Sequence, residues 1–250
     1  MIEQLLTAPM AVAEAFHDDV VEGVGPYEAE ERLVADAVPR RRREFTTVRV
    51  LARQALAELR IAPSPILPGP LGAPVWPGGV VGSMTHCAGY RAAAVAYGGD
   101  FAAIGIDAEP HLPIEGIGTL DLVTVPQERA WLAALRVRRP EVCWDRLVFS
   151  AKESVYKAWF PLTGRRLDFD EAVVTVDPDL GTFHARLLVD GPEVGGRRIR
   201  GFDGGWLHRD GILLTAVALT RGAANAVRAP GVVGSVSGHP RPATRSASAR

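Results

Sequence analysis

Between residues 80 and 108 the chain holds three strand-length apolar runs, Val80–Cys87, Tyr90–Tyr97 and Phe101–Ala108, separated only by Ala88-Gly89 and Gly98-Gly99-Asp100. Connections this short leave no room for a crossover, so consecutive runs must pair antiparallel. The segment is a β-meander, which excludes a parallel βαβ arrangement at this point in the fold. Before it lies IAPSPILPGPLGAPVWPGG, residues 61–79, a Pro/Gly-rich stretch that cannot continue a helix. Inside a compact domain such a loop is usually functional or a linker. Residues 61–90 form the longest run free of Asp, Glu, Lys and Arg, and six prolines within it deny it the continuous helix of a membrane span.

On either side of the meander the period changes. Residues 1–60 read as helical, with Val34 and Val38, then Phe45, Val48, Leu51, Ala52, Leu56 and Leu59 at three- and four-residue spacings. Pro126–Leu135 and Val142–Trp159 read as further helices, the second with an apolar stripe of Leu147, Val148, Ala151, Val155, Ala158 and Trp159. Strand patterns return at Ala172–Val176, Thr182–Val189, Arg198–Leu207 and Ile212–Leu219. Each half of the chain supplies helix and antiparallel sheet, an α+β pattern. The expected division is residues 1–112, residues 113–220, and a tail of residues 221–250. The tail is rich in Gly, Pro, Ser, Ala and Arg without acidic or aromatic residues, and is expected to be disordered.

Composition removes several classes of function. Basic and acidic residues nearly cancel, 28 against 29, so net charge makes no case for a nucleic-acid binder. Two cysteines, Cys87 and Cys143, exclude a disulfide scaffold and a four-thiolate zinc site. The opening MIEQLLTAPM places Glu3 and Pro9 where a secretory signal needs a basic region and an unbroken apolar run, so a cytoplasmic protein with reduced thiols is expected. The 28 basic residues comprise 26 arginines and only two lysines, Lys152 and Lys157.

Four patterns can carry chemistry. In Ile104-Gly105-Ile106-Asp107-Ala108-Glu109-Pro110, an apolar strand ends in carboxylates at i and i+2, which project to one face. Such a pair is either two solvated acids or, with waters and substrate phosphates, part of a Mg²⁺ site. In Phe149-Ser150-Ala151-Lys152-Glu153-Ser154-Val155-Tyr156-Lys157, Glu153 and Lys157 share a helix face at i and i+4. This is an exposed ion pair or a phosphate-handling site, where a carboxylate and ammonium groups divide the work. Gly82-Ser83-Met84-Thr85-His86 places hydroxyls and an imidazole at a strand end, and Arg40-Arg41-Arg42-Arg43 with Arg49 is a solvated helix face or an anion-binding one. No Gly-x-Ser-x-Gly elbow, P-loop or Gly-x-Gly-x-x-Gly fingerprint is present.

In their order, GSMTH, IGIDAEP and FSAKESVYKAWFPLTG resemble the motifs of the Sfp-type phosphopantetheinyl transferases, nearest to the branch of enterobactin synthase component D. RRRREFTTVR and PILPGPLGAPVWP fit as well, so the resemblance covers about residues 30–220. It implies an α+β fold of two pseudo-symmetric halves with coenzyme A bound between them. It also implies transfer of the 4′-phosphopantetheine arm of coenzyme A to a serine of apo acyl, peptidyl or aryl carrier proteins in polyketide, siderophore or lipid synthesis. By motif, Asp107, Glu109 and Glu153 would hold Mg²⁺, with Mn²⁺ as an alternative ion. Glu153 would help deprotonate the serine, directly or through water. Lys152 and Lys157 would steady the pyrophosphate, while Arg41, Arg49 and His86 grip the nucleotide phosphates with Ser83 and Thr85 nearby.

One departure stands out. Relatives often carry a lysine in the Pro/Gly loop, whereas Leu67-Pro68-Gly69-Pro70-Leu71-Gly72 has no basic residue. Either arginine elsewhere then meets the 3′-phosphate, or coenzyme A is expected to bind more weakly. A site completed within one chain implies a monomer. The rival reading is a coenzyme A-binding sensor or scaffold without activity, and retention of three carboxylates and both lysines argues against it.

Overall fold

A computed structural model describes residues 1–7, 9–18, 25–116, 118–222, 224, 226, 227, 229 and 230. Its elements run β1 (Ala11–Ala15), α1 (Glu28–Leu33), α2 (Pro39–Glu58), β2 (Val80–Cys87), β3 (Tyr90–Tyr97) and β4 (Phe101–Pro110). After these come α3 (Thr119–Val123), α4 (Pro126–Arg138), α5 (Trp144–Thr163), β5 (Ala172–Asp177), β6 (Thr182–Leu187) and the short pair β7 (Glu193–Val194) and β8 (Arg197–Arg198). The chain closes on β9 (Gly201–Arg209) and β10 (Ile212–Thr220). The strands form a three-stranded sheet, β1-β3-β2, and a five-stranded sheet, β4-β10-β9-β6-β5, every pairing in them antiparallel.

Alternation along the strands assembles the core. On β3, Ala93 and Val95 face Leu51, Ala52, Ala55 and Leu56 of α2, while Ala92, Ala94 and Ala96 face Ile104 and Ile106 of β4 and Leu214 of β10. Small side chains let this strand be covered closely on both faces. The opposite face of the larger sheet receives α5, whose Leu147, Val148, Ala151, Val155, Ala158 and Trp159 are completely buried. Each of the larger ones contributes roughly 1.5–3 kcal/mol relative to exposure. This apolar stripe, legible in the sequence, fixes the rotation of α5 and therefore what its remaining face presents.

The fold class expected from the pattern is the one observed, with four adjustments. Residues 11–15 are a strand, not helix, because AVAEA supplies β3 with the second edge partner its backbone needs, in register Ala11↔Val95 to Ala15↔Arg91. The strand expected at Phe101–Ala108 reaches Pro110 and pairs with β10, with Asp107 opposite Thr215 and Glu109 opposite Leu213. The last meander run thus belongs to the second sheet, and the boundary drawn at residue 112 does not divide the sheets. The expected strand Arg198–Leu207 is two elements, β8 and β9, and α3 adds a helix that was not anticipated.

The start of the expected tail is packed. Ala226 donates its N–H to the Ala218 carbonyl, Val227 bridges Leu6, and both side chains lie against the core. Residues 231–250, the rest of the expected tail, lie outside the described residues.

Candidate active site

Gly105 sets the distance between β4 and α5. A Cβ there would lie 1.9 Å from the Ser154 carbonyl oxygen and 2.9 Å from the Ala158 nitrogen, so helix backbone rests on strand backbone. From that contact Asp107 and Glu109 follow at i+2 and i+4, on the strand face turned toward the helix. On α5, Arg146, Glu153 and Lys157 fall seven and eleven residues apart from the first, which returns them to one helix face. Lys157 Nζ donates to Asp107 Oδ1 at 2.7 Å and to the Ile106 carbonyl at 3.0 Å. Arg146 Nη1 donates to Glu109 Oε2 at 3.0 Å. Between them, Ser150 Oγ lies 2.9 Å from Thr215 Oγ1 and ties the helix to β10.

The acids outnumber these cations. Asp107 is buried, and among the described residues its second oxygen, Oδ2, has no hydrogen-bond partner and is shielded from solvent. Burial, and then the charge of Asp107, push Glu109 up to about 7 against the opposing pull of Arg146. Burial raises Glu153 as well, Lys157 opposes it, and Asp107 adds to the rise. A site with a buried orphan carboxylate oxygen and two acids reluctant to ionise lacks positive charge. Among the described residues no three acidic, histidine or cysteine side chains converge closely enough to hold a metal ion as they stand. The three carboxylates implied by the motifs do not converge as they stand, and Lys157 and Arg146 engage one oxygen each of Asp107 and Glu109, leaving the site short of positive charge.

Beside the acids opens a cavity of about 410 Å³, walled by Arg41, Arg49, Ser83, His86, Glu153 and Lys157 among others. Arg41 Nη1 lies 2.7 Å from His86 Nε2. A guanidinium only donates, so Nε2 is the acceptor here, and burial, with Arg41 second, lowers the His86 pKa. Arg49 is buried, stacked 3.2 Å above the Phe45 ring, and donates through Nε to the Ile66 carbonyl at 2.9 Å. Its guanidinium is thereby fixed at the root of the Pro/Gly loop, and burial depresses its pKa to about 10.

Three expected ligand residues are engaged elsewhere. Ser83 Oγ accepts the Ile106 N–H at 3.1 Å and Thr85 Oγ1 accepts the Ala108 N–H at 3.0 Å, so β2 is stitched alongside β4 through side-chain oxygens. Thr85 also donates to Asp107 Oδ1 at 3.4 Å. Lys152 has its ammonium on Glu128 Oε2 at 2.8 Å, the Val123 carbonyl at 2.9 Å and the Phe169 carbonyl at 2.6 Å. Three acceptors exhaust its three N–H groups. It braces α3, α4 and the Phe169–Glu171 turn against α5, and has no donor left for a phosphate.

The comparisons with known proteins fit this arrangement. The family profile for the 4′-phosphopantetheinyl transferase N-terminal domain matches residues 29–96, and that of the 4′-phosphopantetheinyl transferase superfamily matches residues 103–193. The chain belongs to the 4′-phosphopantetheinyl transferase superfamily. As a phosphopantetheinyl transferase it moves the phosphopantetheine arm of coenzyme A to carrier proteins. It is 57% identical to the 4′-phosphopantetheinyl transferase Svp of Streptomyces mobaraensis over 90% of this chain and 92% of that one. Identity to Npt of Nocardia iowensis is 49%, over 87% and 99%, and to PptT of Mycobacterium tuberculosis 44%, over 84% and 92%. The gap between the two matched domains, residues 97–102, falls at the turn before β4, which agrees with the assignment of β4 to the second sheet.

Sequence reading of this transferase missed Arg146, Glu128 and Tyr156. Tyr156 lines the cavity just described and also a neighbouring one of about 340 Å³ that it shares with Glu153. The seven-residue spacing of Arg146 from Glu153 was available as a signal, but its pairing with Glu109 depends on how α5 sits on β4.

Proposed function

We propose that the cavity between α2, β2 and α5 receives coenzyme A with its pyrophosphate beside Asp107, Glu109 and Glu153, and that these carboxylates hold Mg²⁺ or Mn²⁺. The reading rests on one observation above the others: Asp107 Oδ2 is buried without a partner in a cluster where two further carboxyls are held above their ordinary range. Oxygen donors of this kind suit a hard divalent cation. When bound, the ion neutralises charge on the pyrophosphate oxygens.

The chain's own groups account for the rest. Lys157 spends two N–H groups on Ile106 and Asp107 and keeps a third for a phosphate oxygen. Arg41 and Arg49 meet the nucleotide phosphates. The carrier serine oxygen bonds to the phosphorus bearing the pantetheine arm while the bond to adenosine 3′,5′-bisphosphate breaks. The serine proton passes to Glu153, directly or through water, a carboxylate that lines the cavity and can act as general base. Positioning and charge neutralisation suffice for such a transfer, so the site needs no nucleophile of its own. The protein acts as a cytoplasmic monomer on carriers of polyketide, peptide, siderophore or lipid synthases.

The test is incubation of the protein with coenzyme A, Mg²⁺ and an apo carrier protein, followed by mass measurement of the carrier. Chelation should abolish the mass gain and Mg²⁺ restore it. Asp107→Asn and Glu153→Gln should each lower kcat by about 10² or more, as loss of an electrostatic stabiliser does elsewhere. Arg41→Ala should chiefly raise the KM for coenzyme A, since phosphates are charged before and during reaction. Carboxylate variants with unchanged kcat at saturating Mg²⁺ would overturn the metal assignment.

A further inference from the structure

We infer that Arg146 is a positioning residue for the divalent-ion site, holding Glu109 in place from the helix that carries Glu153; the inference rests on the metal reading above. Arg146 uses its guanidinium fork at three points. Nη1 donates to Glu109 Oε2 at 3.0 Å, Nε to the Leu112 carbonyl at 3.0 Å and Nη2 to the Pro113 carbonyl at 3.1 Å. Those carbonyls belong to the segment that leaves β4 directly after Glu109. The same segment is fastened to the start of α5 twice more. Cys143 donates its N–H to His111 Nε2 at 3.0 Å, and Ile114 donates its N–H to Asp145 Oδ2 at 3.1 Å.

The consequence is a fixed relation between two carboxylates on different elements. Glu109 stands near the end of β4, where only Pro110 follows in the strand, so strand pairing alone holds it weakly. Glu153 stands two helical turns beyond Arg146 on the same face of α5. One rigid planar group joined to both the Glu109 carboxylate and its following backbone sets that carboxylate relative to the helix. Lys cannot reproduce this, having a single nitrogen on a flexible stem. Only one Glu109 oxygen is engaged by Arg146, and the other is left for a cation. The contact is half-buried, with both side chains 20% exposed, which separates it from the freely solvated surface pairs of the chain. Partners that orient a ligating carboxylate typically change metal affinity 10–100-fold when removed.

The experiment uses the full-length protein and Mn²⁺ as the probe, with binding followed by the loss of the free-ion paramagnetic resonance signal, with and without coenzyme A. Arg146→Gln should weaken Mn²⁺ binding about 10–100-fold. It should raise the Mg²⁺ concentration giving half-maximal carrier modification in parallel, while the KM for coenzyme A at saturating Mg²⁺ stays within twofold. Arg146→Lys should recover only part of the affinity. In a Glu109→Gln background, Arg146→Gln should cost no further Mn²⁺ affinity, because its effect passes through that carboxylate. Wild-type protein that binds no Mn²⁺ would refute the metal reading itself. Wild-type protein that binds Mn²⁺ while both Arg146 variants bind it equally well would refute the role of Arg146 alone. If Arg146→Gln does not fold, Arg146→Lys carries the same comparison.

Discussion

Replacing Lys152 with methionine asks whether this lysine serves the substrate or the fold. The Lys152 side chain is 3% exposed, the Glu128 side chain it meets is 0% exposed, and all three N–H groups end on protein oxygens. Methionine keeps the aliphatic stem but leaves Glu128 buried without its cation. Breaking a buried pair by removing one partner costs about 3–5 kcal/mol. Glu128 retains the N–H groups of Val125 and Val174, at 2.8 and 2.7 Å, so the lower end is expected. At about 2–4 °C per kcal/mol for a chain of this size, the melting temperature should fall by roughly 6–12 °C. Lys152→Met with Glu128→Gln should recover much of that loss, because the uncompensated charge disappears. The assays are thermal or urea unfolding of the three variants, and coenzyme A kinetics well below the lowest midpoint. The KM for coenzyme A should stay near the wild-type value. A variant that melts like wild type and shows a tenfold higher KM would refute the argument and return Lys152 to the pyrophosphate.

Three further outcomes follow from the packing. Gly105→Ala should destabilise by about 1–3 kcal/mol, as overpacking does, and should lower carrier modification more than unfolding explains, since α5 must retreat from the carboxylates on β4; equal losses of activity and folded fraction would contradict the second part. Deletion of residues 231–250 should leave the melting temperature unchanged, whereas deletion from residue 221 should lower it, because Ala226 N–H to Ala218 and the Val227 contact with Leu6 go with it; calorimetry of both truncations decides. His86 is held below its ordinary 6.5 by burial and Arg41, so the unfolded chain takes up the proton first. Its contribution to stability is complete above pH 6.5 and is lost as the pH falls from there toward the folded value, a slope that His86→Gln should flatten in unfolding curves at a series of pH values.

What the sequence revealed, and what it concealed, divides along the range of the interactions. The hairpin of β2 and β3, the apolar stripe of α5 and the i, i+2 carboxylates are local patterns, and each lies where its periodicity put it, whereas the third run of the expected meander joins the other sheet. Strand β1 is too short for its alternation to compete with the helical pattern around it, and only the need of β3 for an edge partner shows it. The partner of β4 was hidden for a related reason: the short turn before β4 suggests pairing with β3, but β10, more than a hundred residues later, offers the longer apolar ladder. Ser83 and Thr85 were legible as polar groups at a strand end. That their hydroxyls replace a carbonyl ladder against β4 depends on two strands whose pairing no spacing encodes.

The two lysines show how a compositional clue can be sound in one member and misleading in the other. In a chain with 26 arginines, lysine at a given position implies a requirement that a guanidinium does not meet. At position 157 the requirement is a compact ammonium that reaches Asp107 and the Ile106 carbonyl and still has a donor to offer. At position 152 it is a charge small enough to be enclosed by three oxygens at 2.6–2.9 Å in the space between α3, α4 and the turn at Phe169. A planar five-donor fork would leave N–H groups unpaired there, at about 1–3 kcal/mol each. Five residues separate the two, so along a helix they cannot share a face, and the spacing alone requires that they answer to different surroundings. One lysine faces the acids on β4 and the other anchors the helix that holds the first in position.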